Sequence, residues 1–224
     1  MDEKIIVYEH AQNGRLDKHL DDPTLTWTKR LKICINIANG LEFLHEGGVE
    51  KERMKHSDIK SSCILLDGDW NAKITNLELC RKELEFETME HASDNGSLGY
   101  VDPLYQKQGF LTHWSDIYSF GIVLLEMLCG RLAWGEGCGD HSQSLGPLAQ
   151  RHYAKHENLE ELVFHGIKDQ IVPESLRTFQ KIAIQCLDDV LCPLNSSRLI
   201  RRLKKALEFQ GDKQPLKYLS NIIK

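Results

Sequence analysis

The chain has 224 residues, enough for one large domain or two small ones, and its 41% apolar content excludes wholesale disorder. A net charge of −5 and a pI near 6.1 give nucleic acid no electrostatic foothold, so no nucleic-acid partner is expected. Seven cysteines (Cys34, Cys63, Cys80, Cys129, Cys138, Cys186 and Cys192) form no Cys-x-x-Cys pair, which argues against a zinc site or disulfide frame and for free thiols in a reducing compartment.

The N-terminal MDEKIIVYEH lacks the layout of a signal peptide. The longest apolar run, Ile122 to Leu128, is broken by Glu126 and is too short to cross a bilayer. No transmembrane segment is expected, and a soluble cytosolic chain follows. In chain order, KIIVYEH (Lys4 to His10) concentrates β-branched and aromatic residues and predicts a strand. QNGRLDKHLDDP predicts a turn, a short helix and a turn. From Thr26 to His45, the residues Trp27, Leu31, Cys34, Ala38, Leu41 and Leu44 recur at steps of three and four, the mark of one helix face, closed by Gly47 and Gly48.

KHSDIKSSCILLDGDWNAKITNLELCR (Lys55 to Arg81) places Asp58 and Lys60 two apart, ahead of two short apolar runs separated by an Asp-Gly turn. It predicts a loop and then a hairpin. Lys82 to Gly96 is polar and aperiodic, a long surface loop of the kind that is often functional. SDIYSFGIVLLEMLCGR (Ser115 to Arg131) opens on a serine N-cap and is apolar nearly all round, so it predicts a helix in the middle of a core. WGEGCGDHSQSLGP predicts a glycine-rich loop. Helices are predicted around Pro173 to Leu191 and Asn195 to Phe209, parted by Pro193. Arg198, Arg201, Arg202 and Lys205 share a face of the last helix; a solvated face is the favoured reading, an anionic partner or anionic lipid the alternative. His45, His56, His91 and His113 show no metal-ligand spacing, so core and loop roles are expected.

Several of these segments carry a resemblance. IIVYEHAQNGRLDKHL resembles the last small-lobe strand, hinge and following helix of a protein kinase. HSDIKSSCILLD resembles the catalytic loop His-Arg-Asp-x-Lys-x-x-Asn and its strand. AKITNLELCR stands where Asp-Phe-Gly is expected, GSLGYVDPLY resembles the Ala-Pro-Glu region, and SDIYSFGIVLLE resembles the buried central helix. The motifs keep the family's order and spacing over nearly the whole chain, and the type is that of plant receptor-like Ser/Thr kinases. The resemblance implies a mainly α fold (α+β as a family), a large lobe with a remnant hinge strand and one β-hairpin. It implies a kinase-like domain over residues 1–210 and a C-terminal tail over 211–224. The Gly-rich loop and the strand lysine that handle phosphates belong to a small lobe ahead of the hinge. The chain starts at the hinge, so that lobe is expected to be absent from it.

On the same resemblance, Asp58 holds the position of the catalytic base and Lys60 that of the lysine at the transferred phosphate, each expected here to serve structure instead. Glu9, His10 and Ala11 hold the adenine-contacting hinge. ATP and Mg²⁺ are the family's cofactors, but the metal-ligand positions carry Cys63 and Asn76, a soft thiol and a neutral amide, where Mg²⁺ wants hard, charged oxygen. No cofactor and no metal are therefore expected. Leu77 and Glu78 replace the Phe and Gly, and Ser57 replaces the arginine that receives a phosphorylated loop. Ser93 and Ser97 read as loop serines open to another kinase or simply solvated. Leu104 replaces the glutamate of Ala-Pro-Glu, and Pro193 or Leu194 its arginine partner. Asp116 matches the aspartate that braces the catalytic loop. The expected function is that of an inactive, regulatory or interaction module in receptor-like kinase signalling; the alternative is a Ser/Thr kinase whose small lobe lies outside this chain. Protein partners are expected, a receptor-like kinase or a separate small lobe among them, at a cytoplasmic site that includes the inner face of the plasma membrane.

Overall fold

A computed structural model describes residues 9–48, 52–82, 97–109, 111–135, 143–188 and 195–211. The predicted strand KIIVYEH falls almost wholly outside them. Strand β1 (Gly14–Arg15) leads into a 3₁₀ turn (Leu16–Lys18), the short helix expected there. Helix α1 (Trp27–His45) starts at Thr26, whose hydroxyl accepts from Lys29 N at 3.4 Å. Its burial is wider than one stripe: Ile33, Ile35 and Ile37 join Trp27, Leu31, Cys34, Ala38 and Leu41. Leu44 is only half-buried. The helix is enclosed because the helices at His113–Cys129 and Ser196–Gly211 and the hairpin all pack on it.

Strand β2 (Met54–Lys55) precedes the catalytic-loop segment. The expected hairpin forms from β3 (Ile64–Leu66) and β4 (Ala72–Ile74), and β1 adds on the far side of β3, all antiparallel. The Asp67 carboxylate holds the turn, accepting from the backbone N–H groups of Asp69 and Asn71. Strand β5 (Arg81–Lys82) pairs with β2, so the polar loop predicted from Lys82 begins inside a ladder. Residues 83–96 of that loop lie outside the described residues.

Helix α2 (Pro103–Gln108) is short and capped by Asp102. Helix α3 (His113–Cys129) is the central core helix, buried from Ser115 to Cys129. Its N-cap is Thr112, not the predicted Ser115; Ser115 sits in the first turn and closes a capping box with Thr112. The chain then corrects a second expectation. Helix α4 (Leu145–His156) begins inside the predicted glycine-rich loop, followed by the single turn α5 (His165–Lys168). Leu-Gly-Pro reads as a turn, but a proline in the first helical turn loses no intrahelical bond. Gly146 is needed for approach, since a Cβ there would sit 2.6 Å from Ile122 Cδ1 on α3.

Helix α6 (Pro173–Cys186) stops short of Leu191, and α7 (Ser196–Gly211) closes the chain's described part. α7 packs its apolar side (Leu199, Ile200, Leu203, Ala206) between α1 and α6. The architecture is mostly helical, with short strands confined to two small sheets. Among the described residues no helix is long and apolar enough to cross a membrane. The described cysteines are free thiols.

Candidate active site

The catalytic-loop segment is hung from α3. Asp116, 1% exposed, accepts from His56 N at 2.7 Å and Ser57 N at 2.8 Å. It also bonds His45 Nε2 at 2.9 Å, and His45 Nδ1 meets Ser196 Oγ on α7 at 3.2 Å. One carboxylate thus ties α1, α3 and the loop together. The grip holds Ser57 in a left-handed conformation (φ 74°) that a β-substituted residue rarely takes. His56 is fully buried; its Nε2–H donates to Thr75 O at 2.9 Å, and Nδ1 accepts from Asp58 N at 3.3 Å. These contacts fill the core and loop roles expected for His45 and His56.

Asp58 and Lys60 meet directly, with Lys60 Nζ 2.5 Å from Asp58 Oδ2. Ser97 completes a triangle. Its hydroxyl donates to Asp58 Oδ1 at 2.9 Å and accepts from Lys60 Nζ at 2.7 Å. The serine expected in a loop thus contacts a residue 39 positions earlier, which no local pattern announces. Ser93 lies outside the described residues.

Cys63 and Asn76 are brought together by the hairpin, where Thr75 N bonds Cys63 O at 2.9 Å. The Cys63 thiol is buried and donates to the Asp58 carbonyl at 3.4 Å. Burial pushes it above the ordinary thiol range, with nearby Lys60 pulling the other way, so it stays protonated and soft. Asn76 stands in the left-handed region (φ 63°), which Asn tolerates, and its Nδ2–H donates to Cys63 Sγ at 3.5 Å. This donor set does not fit Mg²⁺: a neutral thiol is no ligand for a hard cation, and the amide offers its N–H to that thiol. Among the described residues no group of three or more His, Cys, Asp or Glu is placed to hold a metal ion. Leu77 is 51% exposed, and Glu78 is also on the surface.

At the hinge, Glu9 and His10 are exposed and Ala11 is half-buried. The Glu9 carboxylate pairs with Lys73 of β4, and Ala11 O accepts from Gly14 N at 3.0 Å, so this segment is fastened to the sheet. Leu104 is half-buried in α2; its predicted counterparts Pro193 and Leu194 lie outside the described residues. Beneath the site, Glu126 is fully buried. Its Oε1 accepts from Tyr100 Oη at 2.5 Å and Ala133 N at 2.8 Å, so the charge that interrupts α3's apolar run anchors the segment after Ser97.

This geometry is matched by similarity. The family model for the protein kinase domain matches residues 1–208. The chain belongs to the protein kinase family. Its relatives give the type: it is 37% identical over 191 residues to receptor-like protein kinase HERK 1 of Arabidopsis thaliana, covering 84% of this chain and 23% of that protein. It is 37% identical over 194 residues to receptor-like protein kinase FERONIA and 38% over 192 to receptor-like protein kinase ANXUR2, both of the same plant, covering 84% of this chain in each case. Those matches take in 21% and 22% of the two relatives, so the chain spans under a quarter of their length. The kinase is of the plant receptor-like type.

Proposed function

We propose that this kinase domain, over residues 1–210, is catalytically silent and serves receptor-like kinase signalling as a regulatory or interaction module. The observation that carries the reading is the Asn76 to Cys63 hydrogen bond. The family uses Mg²⁺ to neutralise the transferred phosphate, and at the two positions that would hold it a neutral amide donates to a protonated thiol. Asp58 is likewise engaged on both oxygens, by Lys60 and Ser97. Asp116 keeps the loop's backbone in place regardless. What remains is a shaped surface for a protein partner.

A second reading has one observation in its favour. The Asp58, Lys60 and Ser97 triangle keeps a base and a cation within reach of an incoming hydroxyl, as a Ser/Thr kinase completed by a small lobe would need. Incubating the chain, with a family small lobe fused ahead of Met1, with labelled ATP, Mg²⁺ or Mn²⁺ and a generic protein acceptor separates the two. The silent reading expects no transfer above that of Asp58→Ala; transfer that Asp58→Ala abolishes would establish the second reading.

A further inference from the structure

The chain's charge is sharply divided. Of its 28 Lys and Arg, eight lie in residues 196–224, against two of its 33 Asp and Glu. The rest of the chain holds 20 cationic and 31 anionic side chains, so an acidic body carries a basic end. We infer that the outer face of α7 is a docking surface for an anionic phospholipid bilayer. The inference uses no residue of the candidate active site and stands apart from the proposed function.

The helix can present its charge in only one direction. Leu199, Ile200, Leu203 and Ala206 are sealed between α1 and α6, so the opposite side faces out. On it Arg198, Arg201, Lys204 and Lys205 are exposed. Lys205 is partly neutralised by Glu208 at 3.1 Å, and Arg202 is half-buried and turned to Gln185 on α6. Arg198, Arg201 and Lys204 therefore carry the face. One and two turns back from Gln185 along α6, Lys181 and Arg177 are exposed and extend it across the helix pair.

The shape of this surface selects the occupant. From Arg198 to Lys205 the charges spread over about 10 Å of helix. Spread along an exposed helix face, they suit a flat array of headgroups better than one anionic group. The apolar side is already used in the core, so binding is electrostatic and the helix does not insert. The acidic remainder is repelled by the same surface, which leaves one orientation with α7 toward the lipid.

Co-sedimentation of the full chain tests this, with vesicles of phosphatidylcholine alone and of phosphatidylcholine with phosphatidylserine at about three to one. Binding is expected only to the second, and should disappear near 1 M salt, where the screening length is ~3 Å. Arg198→Glu, Arg201→Glu and Lys204→Glu together should weaken it well over a hundredfold, each cation near such a surface acting independently. The thermal unfolding transition should not change. If that variant misfolds, the corresponding triple Gln variant should still lose about a hundredfold. Equal binding to both vesicles, full binding by the folded triple variant, or tighter binding to a soluble poly-glutamate than to the vesicles would each overturn the inference.

Discussion

Asn76 and Cys63 are hydrogen-bonded to each other, Nδ2 to Sγ at 3.5 Å, at the two positions where the kinase resemblance expects metal ligands. The pair is a local replacement with its own logic: a buried thiol needs an acceptor and tolerates a donor, and Asn76 and the Asp58 carbonyl supply them. Both groups are neutral, so the pair leaves no buried charge unpaired.

The first prediction tests whether that pair is the sole obstacle to chemistry. Cys63→Asn, Asn76→Asp and Glu78→Gly together restore the family's metal-ligand pattern. Covering and orienting the phosphates fall to a G-x-G-x-x-G loop and the lysine of a V-A-x-K strand, and neither pattern occurs in these 224 residues. The triple variant should therefore transfer no labelled phosphate by itself, and should do so once a family small lobe is fused ahead of Met1. Losing one electrostatic clamp of this kind typically costs a factor of ~10²–10³. Equal activity in the two arms would show that ligand loss alone silenced the domain.

Asp116 makes a stability prediction. Replacing it by Ala strands the backbone N–H groups of buried His56 and half-buried Ser57, and one histidine contact. Each stranded donor costs ~1–3 kcal/mol, so Asp116→Ala should lose roughly 3 kcal/mol or more in urea unfolding. Asp116→Asn keeps one acceptor oxygen and should lose less. A variant as stable as the parent would mean that the loop is held by other contacts.

What the sequence disclosed, and what it hid, divides by the range of the interaction. The 3.6-residue period located α1, and the all-round apolarity of Ile117 to Leu128 located α3, because both signals are local. Catalytic-loop positions were legible through motif spacing. α4 was missed because Gly146 and Pro147 read as a turn, while the reason for the glycine is Ile122, 24 positions earlier in the chain. Ser97 was missed for the same cause: its partners Asp58 and Lys60 are reached only after the chain folds back. The substitutions at Cys63 and Asn76 were legible; that they bond to each other was not.

Glu126 gives a pH prediction. Burial raises its carboxyl to about 7, although hydrogen bonds from Tyr100 and Ala133 N pull downward. The folded state then keeps a proton that the unfolded chain, near its ordinary value, has lost. Stability from this group is full below the unfolded value and declines as pH rises toward about 7. The decline amounts to roughly 3 kcal/mol at most, at about 1.4 per pH unit. Glu126→Gln accepts the same two hydrogen bonds and cannot ionise. Its urea-unfolding stability should therefore gain on the parent's between pH 5 and pH 7.5; parallel profiles would contradict the assignment.

Gly121 lies mid-way along α3, where glycine is costly: Ala would favour the helix by about 1 kcal/mol. The site forbids it. A Cβ there would stand 2.6 Å from Cys186 Cβ and 3.1 Å from Leu187 Cδ2, at the crossing of α3 and α6. The Leu187 methyl can turn aside, but Cys186 Cβ is fixed by its own backbone, so the helices must separate, and overpacking of this kind costs ~1–3 kcal/mol. Gly121→Ala should thus be destabilised by about 1 kcal/mol or more, against its helix propensity. Cys186→Ala retains the offending Cβ and should give no relief. Cys186→Gly removes it, so the double variant Gly121→Ala with Cys186→Gly should be more stable than the two single losses summed. A double-mutant cycle by chemical denaturation reads that coupling directly. Simple additivity would show that the two helices do not cross as closely as the glycine implies.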